Sequence, residues 1–140
     1  MLAAIAPSPD DTIVTLGDYI NRGIDSKGVL DRLIELSEQC RLVPILGNHE
    51  EMLLGAREGK SDLEFFLHCG GISTLDSYGD TGRLDLIPRE HWQFVDSCRP
   101  YFETDDQIFV HANYAPNLPL DQQDSQTLNW RPLRDDPPGR

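Results

Sequence analysis

The sequence has no apolar run long enough to cross a bilayer. The longest, Met1 to Ala6, falls far short of the roughly 18–20 residues that a spanning helix needs. No basic stretch precedes that run and no small-residue cleavage pattern follows it, so it does not read as a secretory signal. The expectation is a cytoplasmic chain with no membrane partner. Cysteine is scarce: Cys40, Cys69 and Cys98 are odd in number, far apart, and lack a C-x-x-C pair or a histidine at zinc-finger spacing. That pattern predicts reduced, mostly buried thiols rather than a disulfide framework or structural zinc. The positions six after each cysteine are Leu46, Leu75 and Thr104, none of them the arginine that a cysteine-dependent phosphatase needs. Positive charge is scarce too: 12 Lys+Arg stand against 24 Asp+Glu, a net charge of −12 shared equally between the two halves. With no Lys/Arg cluster, the surface repels polyanions and weighs against a nucleic-acid partner.

What remains is an ordinary globular composition, 39% apolar over 140 residues, enough for one domain with a real core. Short β-branched runs alternate with helical periods. Thr12–Leu16 reads as a strand ending at Gly17-Asp18. Ser26–Glu38 places Val29, Leu30, Leu33, Ile34 and Leu36 at helical spacing, with Ser26 available as N-cap. Leu42–Leu46 reads as a second strand ending at Gly47-Asn48, and strand, helix, strand predicts a βαβ unit with parallel strands. Helices are expected over His49–Arg57, with Glu50 and Glu51 suiting the positive end of the dipole, over Asp62–His68 up to Gly70-Gly71, and from Pro88 to Cys98. A hairpin follows, Arg99–Glu103 against Gln107–His111, and beyond Ala115 the chain reads as loop. Phe65, Phe66, Trp92 and Phe94 fall at helix-core spacing.

Three of these strands end on chemistry: Asp18, then Asn48 and His49, then His111. Ligands of α/β sheets bind at the carboxyl ends of strands, so one edge gathers a carboxylate, an amide and two imidazoles. That donor set suits Mn²⁺, Fe or Zn²⁺. Taken singly, Asp18 is a turn residue, Asn48 a helix cap and His111 a hydrogen-bonded surface histidine; their joint placement argues otherwise. Arg22, four residues past Asp18, offers a planar fork matching phosphate oxygens, unless it pairs with Asp25. Gly55–Ser61 nearly matches a phosphate-binding loop, but it is one residue short and follows a helix rather than a strand.

GDYINRG at 17–23, GNHE at 47–50 and VHA at 110–112, with GGISTLDSYG between them, resemble the phosphoprotein phosphatase branch of the calcineurin-like metallophosphoesterases, bacterial type. The resemblance implies an α/β (α+β) fold, a sandwich of mixed β-sheets flanked by helices, and two divalent metals, Mn²⁺ first and Fe or Zn²⁺ next. It implies Asp18 as bridging ligand, Asn48 and His111 as ligands of the second metal, His49 as the acid that protonates the leaving group, and Arg22 as phosphate holder. Asn21 stands where the family has an aspartate paired with that histidine, so a lower pKa for His49 and weaker acid catalysis are expected.

The family's first signature, Gly-Asp-x-His-Gly, and a final Gly-His segment expected after Trp130–Arg134 are absent. Residues 1–140 are therefore expected to be one partial domain, truncated at both ends and short of metal ligands. The first functional expectation is a metal-dependent phosphomonoester hydrolase acting on phosphoserine or phosphothreonine in proteins. The second is hydrolysis of a dinucleotide polyphosphate, and the third an inactive phosphate-binding module.

Overall fold

The computed structural model describes residues 2–59 and 63–133. After a short helix α1 (Leu2–Ile5), β1 (Thr12–Thr15) leads through a loop into α2 (Ser26–Ser37), and β2 (Arg41–Pro44) returns beside β1. The two strands pair in parallel, Thr12 opposite Arg41 through Thr15 opposite Pro44, as the βαβ reading requires. The crossover helix buries Leu30, Leu33 and Leu36, one stripe at three-residue spacing. Its N-cap is Asp25, which accepts from Gly28 N–H at 2.8 Å, rather than Ser26. Asp25 stands one residue outside the helix, where its carboxylate reaches the orphan donors of the first turn.

The ladder continues past β2. Ile45 N–H donates to Thr15 O and Arg99 N–H to Pro44 O, both at 2.8 Å, so Arg99 joins the parallel sheet instead of opening the expected hairpin. That hairpin is consequently shorter, β3 (Phe102–Glu103) against β4 (Ile108–Phe109), antiparallel. The described residues thus hold one parallel and one antiparallel pair of strands, with helices packed around them.

Helix α3 (Asn48–Glu58) starts three residues beyond β2 with Gly47 as its N-cap and stops at Gly59 in the left-handed region. The expected helix from Asp62 begins outside the described residues, as do Lys60 and Ser61 of the near phosphate-loop match. Within them, α4 (Leu63–Phe66) does not end at the paired glycines. It passes through a π-type turn, Leu67–Gly71, and resumes as α5 (Ile72–Asp76). Gly70 absorbs the kink at φ 105°, a value that glycine adopts without a Cβ clash. Helix α6 (Arg89–Ser97) follows, and the segment after Ala115, expected as loop, carries a 3₁₀ turn at Leu120–Gln122 and a π-type turn at Gln126–Trp130.

The core joins Leu30, Leu33 and Leu36 to Met52 and Leu53, Phe66, Leu75, Phe94 and Val95. Phe65 is a correction, half exposed while Phe66 is fully buried, because the four-residue α4 turns only one face inward. His91 is a core histidine: its Nε2 lies 2.8 Å from Asp31 Oδ1 and its Nδ1 lies 2.7 Å from Tyr78 Oη. The three cysteines are free, Cys40 buried and the others partly so. No helix among the described residues is long and apolar enough to cross a membrane.

Candidate active site

Three segments meet at the carboxyl end of the parallel pair. Gly17 and Gly47 touch backbone to backbone: a Cβ on Gly17 would lie 2.7 Å from Gly47 Cα and 2.8 Å from His111 Nδ1. Only two glycines allow this approach, which brings Asp18, the start of α3 and His111 together. The Tyr19 hydroxyl pins the same junction, lying 2.8 Å from Ile45 O and accepting from Gly17 N–H at 3.0 Å.

Glu50 organises the loop that follows β1. Its carboxylate is wholly buried and accepts four backbone N–H groups: Asp18 at 2.9 Å and Gly47 at 3.1 Å on Oε2, Tyr19 at 2.8 Å and Ile20 at 3.2 Å on Oε1. Burial pushes its pKa up, and the donated bonds from Asp18, Tyr19 and Ile20 oppose that rise. Glutamate here does more than favour a helix dipole; it fixes a turn in which Asp18, Asn21 and Arg22 all take positive φ, at 58°, 70° and 60°. Such conformations cost roughly 1–3 kcal/mol each for non-glycine residues, so the loop holds only because its surroundings enforce it.

Asp18 and His111 converge. His111 Nδ1 donates to Leu16 O at 2.6 Å. Because a carbonyl can only accept, the neutral ring carries its lone pair on Nε2, which faces Asp18 Oδ1 at 3.4 Å. Two electron-rich atoms held face to face, with the far ring nitrogen oriented by a backbone carbonyl, form the donor pattern of a cation site. Asn48, the first residue of α3, is partly exposed and follows Gly47, where an added Cβ would lie 2.7 Å from Asp18 Oδ1. A carboxylate and an imidazole facing each other, beside the helix that opens on the Asn48 amide, are donor types that a divalent cation takes. No group of three His, Cys, Asp or Glu side chains converges among the described residues.

His49 lies beneath this edge, almost entirely buried. Burial lowers its pKa; the Asp18 carboxylate opposes the shift, while Arg22 and His111 add to it. Its Nδ1 contacts Asn21 Nδ2 at 2.7 Å. Arg22 is exposed, and among the described residues no carboxylate pairs with it, Asp25 included. The structure thus places Asp18, Asn21, Arg22 and His111 around His49, with Asn48 as its neighbour in the chain. Sequence reasoning missed Glu50 as a loop organiser and Thr74, whose hydroxyl accepts Asn21 N–H at 2.8 Å and donates to Asn21 Oδ1 at 2.7 Å.

A family model described as calcineurin-like phosphoesterase matches residues 1–137. The chain belongs to that family. Among curated relatives of this phosphoesterase, a symmetrical bis(5′-nucleosyl)-tetraphosphatase of Nitrosomonas europaea is 30% identical over 115 residues, 80% of this chain and 37% of the relative. One of Acidovorax sp. is 48% identical over 60 residues, 42% of this chain and 21% of the relative. The PP2A-like serine/threonine-protein phosphatase PPG1 of Saccharomyces cerevisiae is 30% identical over 119 residues, 80% of this chain and 28% of the relative. A crystal structure assigned provisionally to a diadenosine tetraphosphatase superimposes with a TM-score of 0.63 at 22% identity, covering 91% of this chain and 49% of the other, which establishes the metallophosphatase fold. The phosphoesterase chain spans between about a fifth and a half of the lengths of these proteins.

Proposed function

We propose that this chain carries the hydrolytic site of a metal-dependent phosphoesterase that cleaves the phosphoanhydride bonds of dinucleoside polyphosphates. The observation that carries the reading is the 2.7 Å contact between Asn21 Nδ2 and His49 Nδ1. An aspartate in that place would accept an Nδ1 proton and stabilise the imidazolium, whereas an amide NH₂ donates and cannot. His49 then offers a leaving group one N–H from Nε2 on a neutral ring, a hydrogen bond rather than an acidic proton.

Leaving-group chemistry decides what such a site does well. An alkoxide expelled from phosphoserine is strongly basic and needs a proton as the bond breaks. A nucleotide phosphate is a stable anion near neutral pH and needs only charge stabilisation. The tetraphosphatase relatives support the anhydride reading, and the PP2A-like relative keeps phosphoprotein hydrolysis, the first expectation from the sequence, as the second reading.

When bound by Asp18, Asn48 and His111, a divalent cation supplies charge neutralisation and a water that ionises near neutral pH. The chain's own groups do the rest. Arg22 presents its fork to phosphoryl oxygens, and His49 donates from Nε2 toward the departing oxygen. The test compares kcat/KM for diadenosine tetraphosphate with that for a phosphoserine peptide, with Mn²⁺ present. The dinucleotide is expected to lead by about 10-fold or more, a difference of about 1.4 kcal/mol in barrier. A lead for the peptide overturns the reading in favour of protein phosphatase, and hydrolysis of neither leaves a phosphate-binding module.

A further inference from the structure

The contact between Asn21 and His49 has a direction only if the Asn21 amide cannot turn over, since the two ends of an amide are nearly alike in shape and are told apart by their hydrogen bonds. We propose that Thr74 is the residue that sets this direction: it orients the Asn21 amide so that His49 is held as the neutral tautomer with its proton on Nε2.

The assignment follows from counting protons. A threonine hydroxyl has one proton and two lone pairs. Thr74 Oγ1 has three partners: Asn21 N–H at 2.8 Å, Asn21 Oδ1 at 2.7 Å and Ser26 Oγ at 3.2 Å. The Asn21 N–H fills one lone pair. All four residues are buried, Thr74 completely and Ser26, His49 and Asn21 nearly so, and a buried donor without an acceptor is costly. Ser26 Oγ has Thr74 as its one hydrogen-bond partner among the described residues, so its proton goes to the second lone pair of Thr74. The Thr74 proton is then left for Asn21 Oδ1, and the Asn21 NH₂ is left for His49 Nδ1.

The flipped arrangement fails the same count. With Asn21 Nδ2 turned toward Thr74, the hydroxyl would accept twice from Asn21 and have to donate to Ser26. The Ser26 proton would then have no acceptor. Without Ser26, the Thr74 proton itself would be stranded. Either way Thr74 admits one orientation of the amide, and through it one tautomer of the ring. Thr74 lies 53 residues along the chain from Asn21 and 25 beyond His49, on α5, and among the described residues its hydroxyl bonds only to Asn21 and Ser26. It is a positioning residue.

The test reads the tautomer directly, by ¹⁵N imidazole spectra of His49 in the metal-free protein at about pH 8, above the ordinary histidine pKa of about 6.5. Wild type is expected to show a protonated Nε2 and a bare Nδ1. Thr74→Val is expected to bring the two nitrogen shifts toward each other, and Thr74→Ser to restore the wild-type pattern. A wild-type spectrum with the proton on Nδ1 overturns the proposal without any variant. So does a folded Thr74→Val protein, checked by thermal melting, whose His49 spectrum is unchanged. The kinetic arm rests on the proposed hydrolysis: kcat should fall by about 10-fold in Thr74→Val with KM nearly constant, and recover in Thr74→Ser, as expected for outer groups that orient reacting ones. A rise in KM with kcat unchanged contradicts the role. Failure of all hydrolysis refutes the proposed function but leaves the spectral arm to decide the tautomer.

Discussion

The Asp18 backbone N–H points into the carboxylate of Glu50 at 2.9 Å, although Asp18 follows one strand and Glu50 lies in the helix after the next. Through this bond the start of α3 dictates how Asp18 sits. The same carboxylate receives the N–H groups of Tyr19, Ile20 and Gly47, so the loop is shaped by one buried anion rather than by its own sequence.

Glu50→Gln tests that relationship. An amide keeps one acceptor oxygen and turns an NH₂ toward two backbone donors, so two charge-assisted hydrogen bonds are lost and two N–H groups are orphaned. The expected loss of stability is about 2–4 kcal/mol, read from urea denaturation. Mn²⁺ affinity should fall with it in calorimetric titration, because Asp18 loses its fixed φ. A variant with wild-type stability and metal binding would show that the four bonds contribute nothing net.

Gly70→Ala should act on Arg22, the proposed phosphate holder. A Cβ at Gly70 would lie 3.0 Å from Arg22 Cγ and 3.2 Å from Arg22 N, at a φ of 105°, and Arg22 N–H donates to Gly70 O at 3.3 Å. The added methyl group both strains its own backbone and pushes Arg22 away. A cost of roughly 1–3 kcal/mol is expected, with a rise in KM for phosphorylated substrate. An unchanged KM with lowered stability would place Arg22 outside the substrate site.

His111→Gln should weaken divalent-cation binding. Glutamine cannot both donate to Leu16 O and aim a nitrogen lone pair at the position facing Asp18. Affinity for Mn²⁺ is expected to drop about 10- to 100-fold, with the fold intact by circular dichroism. Equal affinity in variant and wild type would remove His111 from the donor set.

How far the sequence shows this site depends on the range of each interaction. Asp18, Asn48, His49 and His111 stand out because strand ends are local patterns; the βαβ order brings the first two ends to one edge, and His111 joins it through its bond to Leu16 O. Arg22 follows because it is in the same loop. Thr74 does not stand out: in GGISTLDSYG it is one polar residue in a helix, and its meaning lies in a hydrogen bond to a residue 53 positions away. Gly70 reads locally as a helix terminator, yet the chain continues through a π-type turn, with Gly70 close against Arg22. Glu50 reads as a dipole partner from its place in the first turn, and only the tertiary approach of Gly17 to Gly47 shows which donors it serves. The split between β2–Arg99 pairing and the short hairpin was likewise invisible, since residues 99–103 carry equal strand signals for either partner.

Asp31 joins two helices and gives a pH-dependent term. It accepts from Lys27 Nζ at 2.7 Å within α2 and lies 2.8 Å from His91 Nε2 on α6. The Lys27 bond lowers its pKa most, burial opposes this and His91 lowers it further. A carboxyl lowered in the folded state adds stability that is present above the unfolded value of 3.8 and is lost as pH falls through the folded value. The side chain is 45% exposed, so screening keeps this term under about 1 kcal/mol. Asp31→Asn should therefore lose more stability at pH 7 than at about pH 3, measured by urea midpoints at both. An equal loss at the two values would show that the pair adds no charge-dependent term.

Asn21→Asp is the sharpest test of why an amide stands beside His49. The carboxylate keeps the acceptor that Thr74 Oγ1 needs at 2.7 Å, and Thr74 still accepts the backbone N–H, so the loop and its positive φ are retained. What changes is the second oxygen, which now accepts from Nδ1 and stabilises a protonated ring. His49 becomes an acid able to deliver a proton to a basic leaving group. Hydrolysis of a phosphoserine peptide or another alkyl phosphomonoester should rise by about 10-fold or more. Hydrolysis of diadenosine tetraphosphate, whose leaving group needs no proton, should change by less than about 3-fold, because general-acid catalysis helps in proportion to the basicity of the departing oxygen. The ratio of the two rates is the readout, since a general change in folding or metal content moves both together. If both rates rise equally, the amide is not what selects the substrate, and the anhydride reading loses its chemical basis.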